Sequence, residues 1–268
     1  MTLYCRATLN YFAGGVLAPI EVEILDGRSL GRLSWRENGF ELLQHESMLK
    51  SWATIPNDSA HYDEMGGLAR ELTGCDAVTY YPALVRSPKA AASSEDLNPV
   101  QIVHSDYTES YRGMIEDSSH PYRAILDPFM EQAGVSGGDI EKARRIVTLQ
   151  FWRNIGPKVM DYPLTFCDAN TVSRLSLTPV LVPEYGGLVT QFESFAVAPP
   201  CSATEHRWVT FPVMTRDEVV AFRSYDSDME NSGEPFWTPH TAFADPTVSP
   251  DAPARASVEM RAICLFAP

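Results

Sequence analysis

Beyond about residue 145 the chain holds no long helical pattern. It runs instead as short β-branched and aromatic segments cut by Pro, Gly and Asp: "RIVTLQFWRNI", "LTFCDA", "GGLVTQFESFAVA", "HRWVTFPVM", "VVAFRSYDS", "FWTPHTAF" and "ASVEMRAICLF". Many short strands at near-regular spacing with turn residues between them predict a sandwich or jelly-roll barrel. Helical spacing is confined to the first half. "HYDEMGGLARELTG" places Met65, Leu68 and Leu72 on one face and stops on Gly74, a second helix is expected over Tyr122 to Ala133, and a short helical turn from Asp139. "CDAVTYYPALVRS" reads as a strand. The expected fold is therefore mainly β with flanking helices. One domain is expected over residues 1–268, an N-terminal helical and strand wrap over about 1–75 and a jelly-roll core over about 76–268.

Composition narrows the partners. An apolar fraction of 44% supports a full-sized core, and a net charge of −14 argues against nucleic acid and anionic membranes, both of which need a positive footprint. No stretch of about 18 uncharged apolar residues is present, and the start "MTLYCRATLNYFAGG" lacks a basic segment followed by an apolar one. Five dispersed cysteines without a CxxC fit a reducing compartment, so the expected location is cytoplasmic. Cys167 and Cys264 fall in strand patterns and read as small core residues. A dimer is the default expectation for the assembly.

One stretch does not fit a plain core. In "PVQIVHSDYTES" a strand's period of two puts Val100, Ile102, His104 and Asp106 on one face, so a row of aliphatics ends in an imidazole and a carboxylate. Either the pair is a structural hydrogen bond at a strand end, or it is two-thirds of a metal site. Of the other histidines, His45 and His61 read as ordinary helix-start or surface residues and His120 as a turn residue before Pro121; His206 opens a strand. "YDSD" (Tyr225–Asp228) reads as a turn. His240 stands apart, in a short aromatic strand, "FWTPHTAF", ahead of "ARASVEMRAICLF". There Arg255, Ser257, Glu259 and Arg261 alternate onto one face, and an arginine fork with a hydroxyl suits a carboxylate. Two imidazoles and one carboxylate leave half of a metal's coordination shell open, the arrangement of non-haem iron(II) oxygenases. A 2-oxoacid and O2 would fill the open positions.

The same residues carry a resemblance. "NGFELLQHES", "YDEMGGLARELTGCDAV", "VHSDYT", "RRIVTLQFWRNIGPKVMDYPLTFCDA", "HRWVTFPVMTRDEVVAFRSYDSD", "PHTAFADP" and "RASVEMRAICLF" resemble the fungal hydroxylase/desaturase family, which includes a gibberellin desaturase and is related to the cephalosporin methoxylation subunit. The resemblance runs from about residue 35 to the C-terminus. It implies a double-stranded β-helix, a cupin-like jelly roll, with iron(II) and 2-oxoglutarate as cofactors. His104, Asp106 and His240 would hold the iron, and Arg255 with Ser257 the 2-oxoglutarate. Arg261 is the rival clamp, or a partner for Glu259. Tyr107, Trp152 and Arg153 would line the substrate pocket, although Gln150 and Asn154 depart from the family's Asn-x-Trp-Arg-Pro pattern. The implied activity is attack on an unactivated C–H of a small secondary-metabolite precursor by hydroxylation, desaturation or oxidative cyclisation. Aziridine formation on a small amino acid is one form of it, with Arg153 or Arg261 as the further cation. The competing expectations are a non-catalytic accessory subunit of the same fold and a cupin-like isomerase or dioxygenase without 2-oxoglutarate.

Overall fold

The computed structural model describes residues 2–49, 51–52, 58–202 and 204–268. In chain order it has strands β1 (Leu3–Ala13), β2 (Val16–Asp26) and β3 (Phe40–Gln44), helix α1 (Ser59–Thr73), strands β4 (Ala77–Tyr80) and β5 (Leu84–Arg86), helix α2 (Pro88–Ala91) and strand β6 (His104–Ser105). Helices α3 (Tyr111–Glu116), α4 (Pro121–Ala133) and α5 (Gly137–Lys142) follow, then β7 (Arg145–Asn154), β8 (Leu164–Cys167), β9 (Leu177–Tyr185), β10 (Leu188–Val197), β11 (Trp208–Thr210) and β12 (Glu218–Asp226). Helix α6 (Ser227–Ser232), β13 (His240–Ala242) and β14 (Ser257–Phe266) complete it.

The strands form two sheets, ordered β1-β2-β11-β8-β13-β6-β10-β9 and β3-β12-β7-β14-β4, with β5 also on β14. Most sheet neighbours are remote in sequence, as a jelly roll requires. The mainly-β expectation holds. The N-terminal residues are woven into both sheets: β1 and β2 pair through a hairpin whose tip, Gly14-Gly15, has φ of 58° and 86°, the left-handed backbone that a two-residue turn demands. β2 then runs parallel to β11, and β3 runs antiparallel to β12. Helix α1 is capped by the Asp58 carboxylate on the Ala60 N–H and closed by Gly74 at φ 71°. Its buried face, Tyr62, Met65, Leu68 and Ala69, packs with Val78, Met260 and Cys264. No described helix is long and apolar enough to cross a membrane.

Four local expectations are corrected. "CDAVTYYPALVRS" is not one strand but two, β4 and β5, parted around Pro82. In "PVQIVHSDYTES" only His104 and Ser105 pair as a strand; among its aliphatics Val103 is fully buried, while Val100 is half-buried and Ile102 is 40% exposed. The aliphatic row faces a cavity, not a sealed core. His61 does stand at a helix start, in the first turn of α1, but not at the surface: it is 2% exposed, and neither ring nitrogen has a hydrogen-bond partner among the described residues. "YDSD" is not a turn but the end of β12 and the start of α6, where Asp226 caps the helix and pairs with Arg145; His120 caps α4.

The buried His61 has a measurable consequence. Burial, aided by the Arg153 charge, pushes it down from 6.5 to about 4. Between those values the unfolded chain binds a proton that the folded chain refuses, so stability is full above 6.5 and falls as the pH drops toward 4. In urea unfolding at pH 7 and pH 5, His61→Phe is expected to remove about 2 kcal/mol of the parent's acid-side loss. An unchanged pH slope would contradict this.

Candidate metal centre and its cavity

β6 and β13 lie side by side, with His104 directly opposite His240. The two rings sit 4.4 Å apart between centroids, and His240 is packed between Phe222 and Phe166. Each imidazole is tied by its Nδ1, His104 to the Ile102 carbonyl at 2.7 Å and His240 to the Thr238 carbonyl at 3.0 Å. A carbonyl only accepts, so Nδ1 carries the proton in both rings and each Nε2 presents a lone pair. Both Nε2 atoms lie 3.9 Å from Asp106 Oδ1, and one ligand atom from each of the three residues falls within 4.8 Å of the others. Oriented lone pairs and a carboxylate gathered at that spacing are a donor set that could hold a metal ion.

The carboxylate is itself held. Asp106 Oδ2 accepts from Ser224 Oγ at 2.9 Å and Arg261 Nε at 3.3 Å, while Oδ1 accepts from the Arg261 guanidinium at 3.3 Å. Burial acts to raise the Asp106 carboxyl, but Arg261 and the two imidazoles outweigh it and hold it well below the usual range. Burial and the neighbouring His240 push His104 down to about 4, which keeps the ring neutral and able to ligate at physiological pH.

These ligands open onto a cavity of about 250 Å³ between the sheets. One wall is apolar, built from Phe12, Val180, Val182, Phe192 and Phe195. The opposite wall is polar: Glu259 and Arg261 line it from β14, Arg255 lines it from the segment just ahead of that strand, and Ser257, the first residue of β14, is buried. Glu259 forms a buried ion pair with Arg86 at 2.9 Å. Arg255 stacks over the Trp152 ring at 5.9 Å and donates to the Tyr162 carbonyl at 3.1 Å, but has no carboxylate at ion-pair distance among the described residues. Its Nε has no partner among them either, and burial together with the nearby Arg86 pulls it down to about 10. A buried cation without an anion is costly, and the cavity it lines is where an anion would relieve it.

The structure thus gathers His104, Asp106, His240, Tyr107, Arg255 and Arg261 at one cavity. Arg261 is engaged with Asp106, and Glu259 takes Arg86 as its hydrogen-bonded partner. Trp152 and Arg153 are successive on β7 and face opposite ways: Trp152 lies opposite Glu259, and Arg153 opposite Val258. Trp152 underlies Arg255 without lining the cavity, where Gln150 takes that place. Arg153 is turned to the far side of the sheet, bonded to the carbonyls of His45 and Arg216 and to the His45 ring. Arg86, Ser224, Tyr81 and Tyr122 belong to the site or its cavity and were not foreseen. For Arg86 the available signal was a lone charge ending an otherwise apolar run, "YYPALVR".

A family model described as an oxidoreductase/YMDC permease-like domain matches residues 14–265. The chain belongs to this family. Among curated relatives of this oxidoreductase, the hydroxylase/desaturase CTB9 of Cercospora beticola is 27% identical over 244 residues, spanning 84% of this chain and 69% of the relative. The Fe(II)/2-oxoglutarate-dependent dioxygenase nvfI of Aspergillus novofumigatus is 24% identical over 218 residues, 78% of this chain and 68% of the relative. Among solved structures, the iron and alpha-ketoglutarate-dependent endoperoxidase NvfI superposes with a TM-score of 0.75 at 19% identity, covering 99% of each chain. That superposition establishes the fold of this oxidoreductase as that of a jelly-roll oxygenase.

Proposed function

We propose that this oxidoreductase is an iron(II)- and 2-oxoglutarate-dependent oxygenase that attacks an unactivated C–H of a small secondary-metabolite precursor. The observation that carries the reading is the pair of Nδ1-anchored imidazoles converging with Asp106 on a largely apolar cavity whose polar wall holds the anion-free Arg255. The donor set fits iron(II), and the orphaned Arg255 fits the distal carboxylate of 2-oxoglutarate. The names of the relatives agree with both.

His104, Asp106 and His240 would hold the metal, with Ser224 and Arg261 fixing the carboxylate. Arg255 and Ser257 would hold the 2-oxoacid. When bound, iron and 2-oxoglutarate together supply the O2 reduction that removes hydrogen from an unreactive carbon. The chain's own task is placement: Val180, Val182, Phe192 and Phe195 offer the substrate an apolar seat, and Tyr81, Tyr107 and Tyr122 close the cavity behind the ligands against water. Hydroxylation, desaturation and ring closure differ in where the seat puts the second hydrogen. The narrower reading, cyclisation of a small amino acid to an aziridine, needs a cation for the substrate carboxylate. Arg153 is turned away, and Arg261 and Arg86 are each paired with a buried carboxylate, so the cavity wall offers no unpaired arginine beyond Arg255 and the geometry lends this narrower reading no support. One catalytic domain over residues 1–268 is part of the proposal, supported by the N-terminal strands in both sheets.

The test is 2-oxoglutarate consumption with product analysis across candidate substrates, small amino acids included. Arg255→Gln is expected to raise the KM for 2-oxoglutarate roughly 10- to 100-fold, the worth of a charge-assisted carboxylate clamp. An unchanged KM would remove Arg255 from the role. Absence of any 2-oxoglutarate turnover in the iron-loaded parent would favour the accessory-subunit reading.

A further inference from the structure

Tyrosines lead away from the metal ligands in a continuous series of ring contacts, the first stacked and the second tilted. Tyr107 follows Asp106 in the chain and forms part of the cavity wall. Its ring lies on Tyr111 with centroids 4.0 Å apart and planes at 26°. Tyr111 meets Tyr225 at 4.9 Å. All three are buried, and the Tyr225 hydroxyl donates to Glu230 Oε2 on the half-buried helix α6. Phenylalanine would fill the same volume without a hydroxyl to satisfy, so packing alone does not call for three phenols in line.

The hydroxyl partners differ along the stack. Tyr107 bonds to another phenol, Tyr122, and Tyr111 accepts from the Thr148 hydroxyl at 3.0 Å; neither partner is a base. Tyr225 alone of the three donates to a carboxylate. Burial raises that carboxyl above its ordinary value, which improves it as a proton acceptor.

We propose that Tyr107, Tyr111 and Tyr225 form a relay that carries an oxidising equivalent from the metal centre to Tyr225, with Glu230 taking the proton, when the oxidant forms without substrate in place. The relay rests on the oxygenase reading above, since the oxidant is the one made from O2 and 2-oxoglutarate at the metal. In the net step the oxidant gains one electron and Tyr225 loses it through the stacked rings of Tyr111 and Tyr107. The Tyr225 O–H bond breaks, its proton joins Glu230 Oε2, and a neutral tyrosyl radical with a protonated carboxyl results. A one-electron reductant of the ascorbate class then restores the phenol, with Glu230 returning the proton.

The test uses the whole chain loaded with iron(II) and 2-oxoglutarate, with binding first read anaerobically by the visible charge-transfer band. The sample is then exposed to O2 without substrate and frozen. Tyrosyl radical is read by electron paramagnetic resonance, and oxygen insertion into the Tyr107–Tyr111 peptide by mass spectrometry. The parent is expected to give the radical. Tyr225→Phe and Glu230→Gln are expected to keep the band, lower the radical yield roughly tenfold through loss of a charge-assisted hydrogen bond, and raise oxygen insertion near Tyr107. Glu230→Gln leaves the ring stack intact, so it decides the matter if Tyr225→Phe folds poorly. A normal band with no radical in the parent, or with equal radical in parent and variants, overturns the relay alone. Absence of the band in the parent overturns both the relay and the oxygenase reading.

Discussion

Asp106→Asn is expected to yield a protein about 3–5 kcal/mol less stable than the parent and unable to retain iron(II) through desalting. Both losses come from one charge. The Asp106 carboxylate accepts from Arg261 and Ser224 on one side, and on the other its Oδ1 lies 3.9 Å from each of the two Nε2 atoms. The amide removes the negative charge and leaves the Arg261 guanidinium buried without its main partner. A buried ion pair broken on one side costs more than the intact pair contributes, because the surviving charge stays desolvated. For the metal, two imidazoles remain without the anion that offsets its double charge. Chemical denaturation and a metal-content assay check the two halves. An asparagine variant with full iron and parental stability would contradict the geometry.

Arg261→Leu separates the fold's use of this charge from the metal's. Without metal, Asp106 loses the cation that outweighs its burial, and a destabilisation of about 3 kcal/mol is expected, or a fall in Tm of about 6–12 °C. Iron(II) binding places a new positive charge beside the same carboxylate. The variant should therefore gain more Tm on iron addition than the parent does, since the metal supplies what the arginine no longer can. A substitution that merely left a packing defect would lower Tm equally with and without iron. Equal falls in the two states would show that Arg261 supports the barrel and not the Asp106 charge.

The contrast between Arg261 and Arg86 shows what was readable in the chain. His104 and Asp106 are two residues apart, so their common face follows from strand period alone, and His240 was recognisable from its aromatic strand and the Arg-x-Ser that follows. The partners of these residues come from across the fold. Ser224 is 118 positions from Asp106, Arg261 is 155 away, and Arg86 is 173 from Glu259; no local pattern encodes such distances. Trp152 and Arg153 could not both line the pocket, since neighbours on a strand face opposite ways; Trp152 shares the side of Glu259, and Arg153 is turned from it. Val100 and Ile102 show the complementary limit. Period two assigns residues to a side of the strand without saying whether that side meets packed core or the open space of a cavity. The N-terminal hairpin was the most readable of the elements left unassigned: Cys5, Ala7, Leu9 and Tyr11 alternate inward and Gly14-Gly15 makes the turn, yet only its parallel pairing with β11 shows that it extends the sheet.

The most direct test of the metal centre is an anaerobic titration of the apoprotein with iron(II) and then 2-oxoglutarate, recorded in the visible region with His240→Ala alongside. The account predicts a weak charge-transfer band in the parent, because three protein ligands leave the positions that a 2-oxoacid chelates. It predicts no band in the variant, whose site lacks one of its two Nε2 donors. Equal bands in parent and variant, or iron bound by the parent with no band at all, would contradict it.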